Sequence, residues 1–434
     1  MEQLSMLIEK VPVIAQTDVL VVGSGPAGIA AAVAAARGGA SVILAERYGC
    51  LGGALSVSNV ESYSFSVNQH METLSGIPLE IDQRVRAGNA CQPEHRGGGV
   101  LIDPEMYKCL LDAWMAECGV RVMLHSQACN VLQEENRVNG VVFYGKSGFR
   151  AVKAKVIVDA TGDGDVAAMA GASFEQREKE KLMPVTTVIG LSGIDMKLFK
   201  EHIQLHSRED DPEYGLKGVL RRAWEAGDWP LKKAGAWKIT TEYGDICSLN
   251  LLMIRNVDCT DVEDLTFAET EGRKQALQAV NALRKYGADI GFAACFLRSI
   301  APQLGLRESR RIKGVERLTV HHMMDDNYSK TGIGRFVCFA DNWGKFVTGK
   351  KNETFSLPYG ILVPETVDGL LVAGRCVSCD EESYGAVRMM VCCAITGQAA
   401  GTAASICAAS NVEPRNIDVS ILQAQLRTDG VVLS

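Results

Sequence analysis

TDVLVVGSGPAGIAAAVAAARGGASVILAE, residues 17–46, is the stretch whose reading decides the fold. Residues 18–22 form a short apolar run, as expected of a strand buried on both faces of a parallel sheet. Gly23, Gly25 and Gly28 follow as G-x-G-x-x-G. The first glycine permits the tight turn, the second lets the backbone approach a pyrophosphate, and the third lets the next helix pack on the strand. Ser24, Pro26 and Ala27 complete the loop. A helix over 27–37, almost all alanine, then aims its free N–H groups and positive dipole end at phosphate. A second strand over 40–45 ends in Glu46, an acid placed to accept hydrogen bonds from an adenosine ribose. A bare G-x-G-x-x-G is weak. Strand, loop, helix, strand and terminal acid in that order point to dinucleotide binding, and an ordinary glycine-rich turn leaves Glu46 unexplained.

The totals narrow the class. A chain of 434 residues exceeds the usual span of one core, so two domains are expected. With 47% apolar and 22% charged residues it reads as an ordinary globular protein. A net charge of -7 argues against nucleic-acid binding. Fourteen cysteines lack framework spacing and no secretory leader is evident, which predicts reduced thiols and a cytoplasmic location. Residues 389–409 come nearest to a membrane span, but Thr396, Gly397, Gln398, Gly401 and Thr402 dilute them, so they read as a buried helix and no membrane partner is expected.

Outward from the first unit, an edge strand is expected over 11–15, and a Gly52-Gly53 doublet suits backbone lying close to a ligand. Residues 57–99 read as loops and short helices. A helix over 104–118 begins at the N-cap Asp103, with Met106, Leu110, Leu111 and Met115 on one side. Strands over 120–125, 128–133, 138–144 and 149–152 form an inserted β-meander with turns at Asn139-Gly140 and Ser147-Gly148. An apolar strand over 155–160 runs into Thr161-Gly162-Asp163-Gly164-Asp165, a turn at the strand end where α/β sheets bind ligands. Charged helices over 196–205, 218–226 and 265–286 mark a second domain. Residues 370–375 repeat the logic of strand then ligand-facing turn, and a helix follows from about Ala386. The expectation is an α/β fold: a Rossmann-type parallel sheet with an inserted meander over 1–174 and 356–434, and a mixed α+β substrate domain over 175–355.

Five segments in order resemble the FAD-dependent oxidoreductases of the glutathione-reductase-like two-dinucleotide-binding fold. They are VVGSGPAGIAAA (21–32), Gly52-Gly53, DATGDGD (159–165), GLRESRR (305–311) and LLVAGRCVS…AVRMMVCCAITGQAAG (370–401). More narrowly, the chain resembles the bacterial FAD-dependent oxidoreductases with RESRR and AGR…GQAAG signatures. The resemblance implies FAD. It puts Gly23, Ser24, Gly25, Pro26, Ala27 and Gly28 on the pyrophosphate, and Glu46 and Arg47 on the adenosine ribose. Gly52, Gly53 and Ala54 would approach the phosphates or flavin, and the backbone of Ala128 and Cys129 would touch adenine. Ala160, Thr161, Gly162 and Asp165 would close around the cofactor, with Gly374 and Arg375 near its ribityl chain. The final helix, with Arg388 at its start and Ala399 in its GQAAG run, would aim its N-terminus at the flavin ring and favour negative charge there. Relatives often carry a histidine where this chain has Asp380-Glu381-Glu382, so a carboxylate would handle the proton instead.

Hydride transfer at a flavin needs a base for the accompanying proton. Candidates by motif are Glu381, Glu382, Tyr384, Tyr359, Arg388 and His322. Arg307 and Arg310 are candidate contacts to an anionic substrate, or simply ion-pair partners. Cys376-Val-Ser-Cys379 raises dithiol chemistry, although the disulfide reductases of this fold carry their pair elsewhere. The function expected is an FAD-dependent dehydrogenase or reductase acting on a small polar metabolite. Alternatives are a flavin monooxygenase using NAD(P)H and oxygen, or a flavoprotein electron-transfer subunit. No metal is expected, and a homo-oligomer is compatible with the chain.

Overall fold

The quoted stretch folds as a strand, Val13–Val22 (β1), a helix, Pro26–Arg37 (α1), and a second strand, Val42–Ala45 (β2). The computed structural model describes residues 10–64, 74–94, 99–208, 210–232, 237–239, 247–324, 329–342, 346–348 and 354–433. Residues 18–22 are the strand expected, but β1 is longer. It absorbs the short edge strand read over 11–15, because its first half also finds a partner, with Val13 paired to Ala151. Further along come the helix Pro104–Glu117 (α2) and the strands Arg121–Met123 (β3), Gln127–Glu134 (β4), Arg137–Gly145 (β5) and Gly148–Asp159 (β6). Far away in sequence, Leu370–Val372 (β7) and the helix Met390–Ser410 (α3) complete the layer.

The strands β3, β2, β1, β6 and β7 lie side by side in that order, all parallel. β4 and β5 add to the first half of β6 as an antiparallel meander. Two expected strands, over 149–152 and 155–160, are therefore one: β6 pairs antiparallel with β5 over one half and parallel with β7 over the other. The strand read over 120–125 joins the parallel sheet, not the meander. The Asn139-Gly140 turn is displaced as well. Gly140 sits inside β5, where a Cβ would stand 2.6 Å from Val152 O, and the chain reverses at Glu135 with φ +54°. Asp103 caps α2 as expected, accepting from the amides of Glu105 and Met106, but the buried stripe is Tyr107, Leu111, Trp114 and Met115, with Met106 exposed. Within 57–99 a helix runs over Gly76–Ala87, and residues 65–73 and 95–98 lie outside the described residues.

Helices α1 and α3 pack on each other backbone to backbone. A Cβ on Gly397 would stand 2.1 Å from Ala27 O, and one on Gly401 2.1 Å from Ala31 O. The alanines of α1 and the glycines of α3 are thus two halves of one contact. Among the described residues α3 is the helix long and apolar enough to cross a membrane, with mean hydropathy 1.4, and 89% of that window is buried in the fold.

A second core runs from Ile189 to Cys295. Its antiparallel sheet orders Trp237–Ile239, Cys247–Asn250, Ile189–Ser192 and Phe296–Ile300. The face carrying Ile189, Leu191 and Leu249 is covered by the helices Met196–Leu205, Lys217–Glu225 and Val262–Tyr286. The opposite face carries Gly190, Ser248 and Asn250 and turns toward the first sheet. Ile312, Leu318, Ile333, Phe336, Val337 and Ala340 pack with the first core.

Candidate active site

The glycine loop divides its labour as the spacing demands. Gly23 has φ +94°, and a Cβ there would be 2.5 Å from Ala160 O. A Cβ on Gly28 would be 1.8 Å from Gly23 O, so this glycine serves helix packing. Gly25 is the N-cap of α1, and a Cβ on it would meet no protein atom within 4 Å. Its open side faces a cleft. Glu46 is buried at 5% exposure and accepts hydrogen bonds from Ser24 N (2.8 Å), Ser24 Oγ (2.6 Å) and Tyr48 N (2.9 Å). It ties the glycine loop to the end of β2, and a carboxylate that accepts at about four positions keeps capacity for a ribose hydroxyl.

The C-terminal ends of β1, β2, β6 and β7 all open into this cleft, through Gly23, Glu46, Thr161 and Gly374. Asp159, fully buried at the end of β6, accepts from Thr161 N (3.1 Å), Thr161 Oγ1 (2.7 Å) and Ala167 N (2.9 Å), and burial pushes its pKa up to about 6. The turn it starts is clamped from two sides. Arg375 pairs with Asp163 and donates to Gly162 O (3.0 Å) and Leu306 O (2.6 Å). From the RESRR segment, Ser309 Oγ donates to Asp163 (2.6 Å), and Arg310 reaches Asp165 (2.9 Å) and Asp163 O (3.1 Å). Glu308 receives Arg177 and the amide of Met183 (2.9 Å). The segment is a latch on the turn. Arg310, read as a substrate contact, belongs to that latch, whereas Arg307 lines the cleft.

The cleft encloses about 1360 Å³ of space, its open mouth included. Of the residues expected at the cofactor, Gly23, Ser24, Gly25, Pro26, Ala27, Glu46, Arg47, Gly53, Ala54, Ala128, Ala160, Thr161, Gly162, Asp165, Gly374, Arg375 and Arg388 line it. Four stand back. Gly28 faces the strand, Gly52 backs onto Ser56 and Leu111, Cys129 points outward on β4, and Ala399 is inside α3. Two helices begin at the cleft without a side-chain cap: α1 at Gly25, and α3, whose first-turn residues Met390 and Cys393 line it. The expected single helix from Ala386 is in fact broken. A short helix, Tyr384–Val387, ends at Arg388, Met389 is extended, and α3 starts afresh. Open amide ends, a glycine whose missing side chain leaves a cradle, and converging strand ends suit a pyrophosphate-linked dinucleotide such as FAD.

The far side of the cleft is lined by Thr186, Asn250, Gln303 and Leu304, from the chain between the strands β6 and β7. No motif marks them, since each is supplied singly by a strand or loop whose inward face is fixed only by the tertiary pairing. The expected proton-handling groups fare differently. Glu381 is 58% exposed and lies 3.7 Å from Arg177, and Glu382 is exposed with its carbonyl accepting from Asn342 (2.6 Å). Asp380 caps the chain locally, accepting from Ser383 N (2.7 Å) and Val320 N (2.9 Å). Tyr384 and Tyr359 are buried, donating to Arg307 O (3.1 Å) and Pro414 O (2.9 Å). His322 Nδ1 accepts from Thr319 N (3.1 Å). Among these six candidates Arg388 is the one that lines the cleft. Cys376 and Cys379 are buried and their thiols are pushed up by burial, Cys379 to about 12, which leaves them protonated and weakly nucleophilic. That disfavours dithiol chemistry.

A digeranylgeranylglycerophospholipid reductase of Methanopyrus kandleri is 31% identical over 152 residues, which cover 33% of this chain and 37% of that protein. A second such reductase from the same organism is 30% identical over 147 residues. The chain thus aligns with little more than a third of these relatives' length. Among solved structures, a geranylgeranyl bacteriochlorophyll reductase-like protein of Thermoplasma acidophilum superposes with a TM-score of 0.51 at 14% identity, over 96% of this chain and 84% of the other. A flavin-dependent brominase variant gives 0.50 at 13% identity, over 95% and 84%. These likenesses are of fold. Residues 18–426 match the family described as FAD dependent oxidoreductase, nearly the whole of the chain whose strand ends build the cleft, and the chain therefore belongs to that family.

Proposed function

We propose that the protein transfers a hydride between the flavin of FAD and a small polar metabolite bound at the far side of the cleft. The observation that carries this reading is the convergence of β1, β2, β6 and β7, and of two uncapped helix starts, on one cleft whose far side offers Thr186, Asn250 and Gln303 among apolar neighbours. When bound, FAD supplies a two-electron acceptor or donor at its N5. In the finer reading, the fold is of the glutathione-reductase-like two-dinucleotide-binding kind, which the parallel sheet with its inserted meander supports. Gly25 and the α1 amides receive the pyrophosphate, and Glu46 and Arg47 hold the ribose. Arg375, fixed by Asp163, sets the width of the cleft beside the ribityl chain. The α3 amides and Arg388 favour negative charge at the ring end. Asn250, Thr186 and Gln303 offer hydrogen bonds to substrate hydroxyl or carbonyl groups. Thirteen cysteines of the described residues are free thiols, which supports a reducing, cytoplasmic setting.

The test is direct. Purified protein is expected to carry flavin and to be bleached anaerobically by a small polar metabolite from a panel of sugars, hydroxy acids and amines. Oxygen uptake driven by NAD(P)H would favour the monooxygenase alternative, and bleaching only by a partner protein would favour the electron-transfer alternative.

A further inference from the structure

On the far side of the cleft one hydroxyl hydrogen faces two oxygen atoms. Thr186 Oγ1 stands 2.7 Å from Leu252 O and 2.5 Å from Asn250 Oδ1. A threonine hydroxyl carries a single hydrogen, so it donates to one of them and meets the other with a lone pair. Leu252 settles the choice. It is fully buried, and Thr186 is the donor its carbonyl finds among the described residues. A buried backbone carbonyl left without a donor is destabilising, whereas a side-chain amide exchanges oxygen for nitrogen by half a turn in nearly the same volume. The hydroxyl hydrogen therefore goes to Leu252 O, and Asn250 meets Thr186 with its NH2 group, which donates to Oγ1. That leaves the amide oxygen of Asn250 at the other end. Asn250 is half-buried and lines the cleft, and beyond Thr186 its amide meets no partner among the described residues. The anchor is firm. Thr186 is 1% exposed, and its backbone bonds Gly305 both ways, at 3.1 and 2.7 Å.

We infer that Thr186 fixes the amide of Asn250 with its oxygen toward the cleft, and that the cleft thereby selects substrates presenting an O–H or N–H at that point. The substrate class is an alcohol or amine, which share this donor chemistry. A ketone or ether oxygen in the same place would face the Asn250 oxygen lone pair to lone pair. Asn250 is thus a specificity-determining residue and Thr186 a positioning one. The inference rests on the FAD-dependent reading above and deepens it by naming the group the substrate must carry.

Two measurements test it. Neutron diffraction from crystals of the full chain exchanged into D2O reads the orientation directly. Deuterium between Thr186 Oγ1 and Leu252 O, with the deuterated amino group of Asn250 beside Thr186, is expected. The Asn250 oxygen beside Thr186 would overturn the inference, whether or not flavin is bound. Selection is read on the flavin-loaded chain by titrating cyclopentanol, cyclopentylamine and cyclopentanone while following the flavin absorption bands. The three share a ring and differ in the polar group. The alcohol or the amine is expected to bind about threefold or more tightly than the ketone, the effect of one net hydrogen bond, and the tighter of the two identifies the donor. Thr186→Val removes the hydroxyl while keeping the side-chain shape, and should abolish that preference with flavin content unchanged. Thr186→Ser should restore it. Equal response to all three probes, no response to any, or a preference that survives Thr186→Val would overturn the selection while leaving the flavin reading intact. A purified chain that neither carries nor takes up flavin would overturn the FAD-dependent reading, and the neutron density would still decide the orientation of Asn250.

Discussion

At the level of single residues, the three glycines of residues 23–28 show how much one position can be asked to do. A Cβ on Gly25 meets open space, whereas Cβ atoms on Gly23 and Gly28 strike backbone. Gly25→Val should therefore fold with an unchanged circular dichroism spectrum yet lose its yellow colour, since the new side chain fills the cradle. Stoichiometric flavin in that variant would contradict the placement of the pyrophosphate. Asp163→Asn tests the clamp. It leaves Arg375, 16% exposed, as a buried charge without its carboxylate, and should cost about 3–5 kcal/mol in urea unfolding. Glu381→Gln should leave both flavin content and the single-turnover reduction rate within about twofold, because the carboxylate stands at the surface beside Arg177. A large slowing would return Glu381 to the list of proton acceptors. What was legible at this scale follows the same lines. Gly23, Gly25 and Glu46 are readable because backbone geometry and ribose chemistry restrict which residue can stand there. Asn250 and Thr186 are not, because nothing local tells which face of their strand looks inward.

At the level of elements, periodicity and caps located most helices and strands, and the misses have physical causes. β6 was read as two strands because its residues change partners halfway, a fact of pairing and not of composition. The Gly140 turn was misplaced because a glycine in a strand can also mark the close approach of a neighbouring backbone, here Val152 O. The run of small residues in α3 was readable as a contact surface, but its partner α1 was not, since nothing in either segment names the other. That contact predicts a sharp effect. A side chain on Gly401 would press on Ala31 O at 2.1 Å. Gly401→Val should lower stability by about 1–3 kcal/mol or more, read as a fall in Tm, through overpacking of a backbone contact.

At the level of the whole molecule, the two cores meet at a buried carboxyl that no sequence motif announces. Glu61 belongs to the first sheet's side and is 3% exposed. It bonds Ser248 on the second sheet, and burial raises its pKa to about 8 from an ordinary 4.5. The folded state thus keeps a proton that the unfolded chain has released. The stabilisation is fully present below about pH 4.5 and is lost as pH rises to about 8. Glu61→Gln, neutral at every pH, should match the wild type near pH 4 and exceed it in Tm at pH 8, with the gap opening between. A gap independent of pH would remove Glu61 as the titrating group. Ile312, Leu318, Met323 and Phe336 follow the second core in sequence, yet their side chains pack with the first core, a pairing that no local pattern announces.

The α1–α3 contact has a temporal side. The ribosome delivers residues 26–37 early and residues 390–410 late, so the alanine helix must wait, uncovered, through most of synthesis. A nascent chain stalled before α3 would present that sticky surface to chaperones and would load no flavin, which makes cofactor capture a closing act of biogenesis.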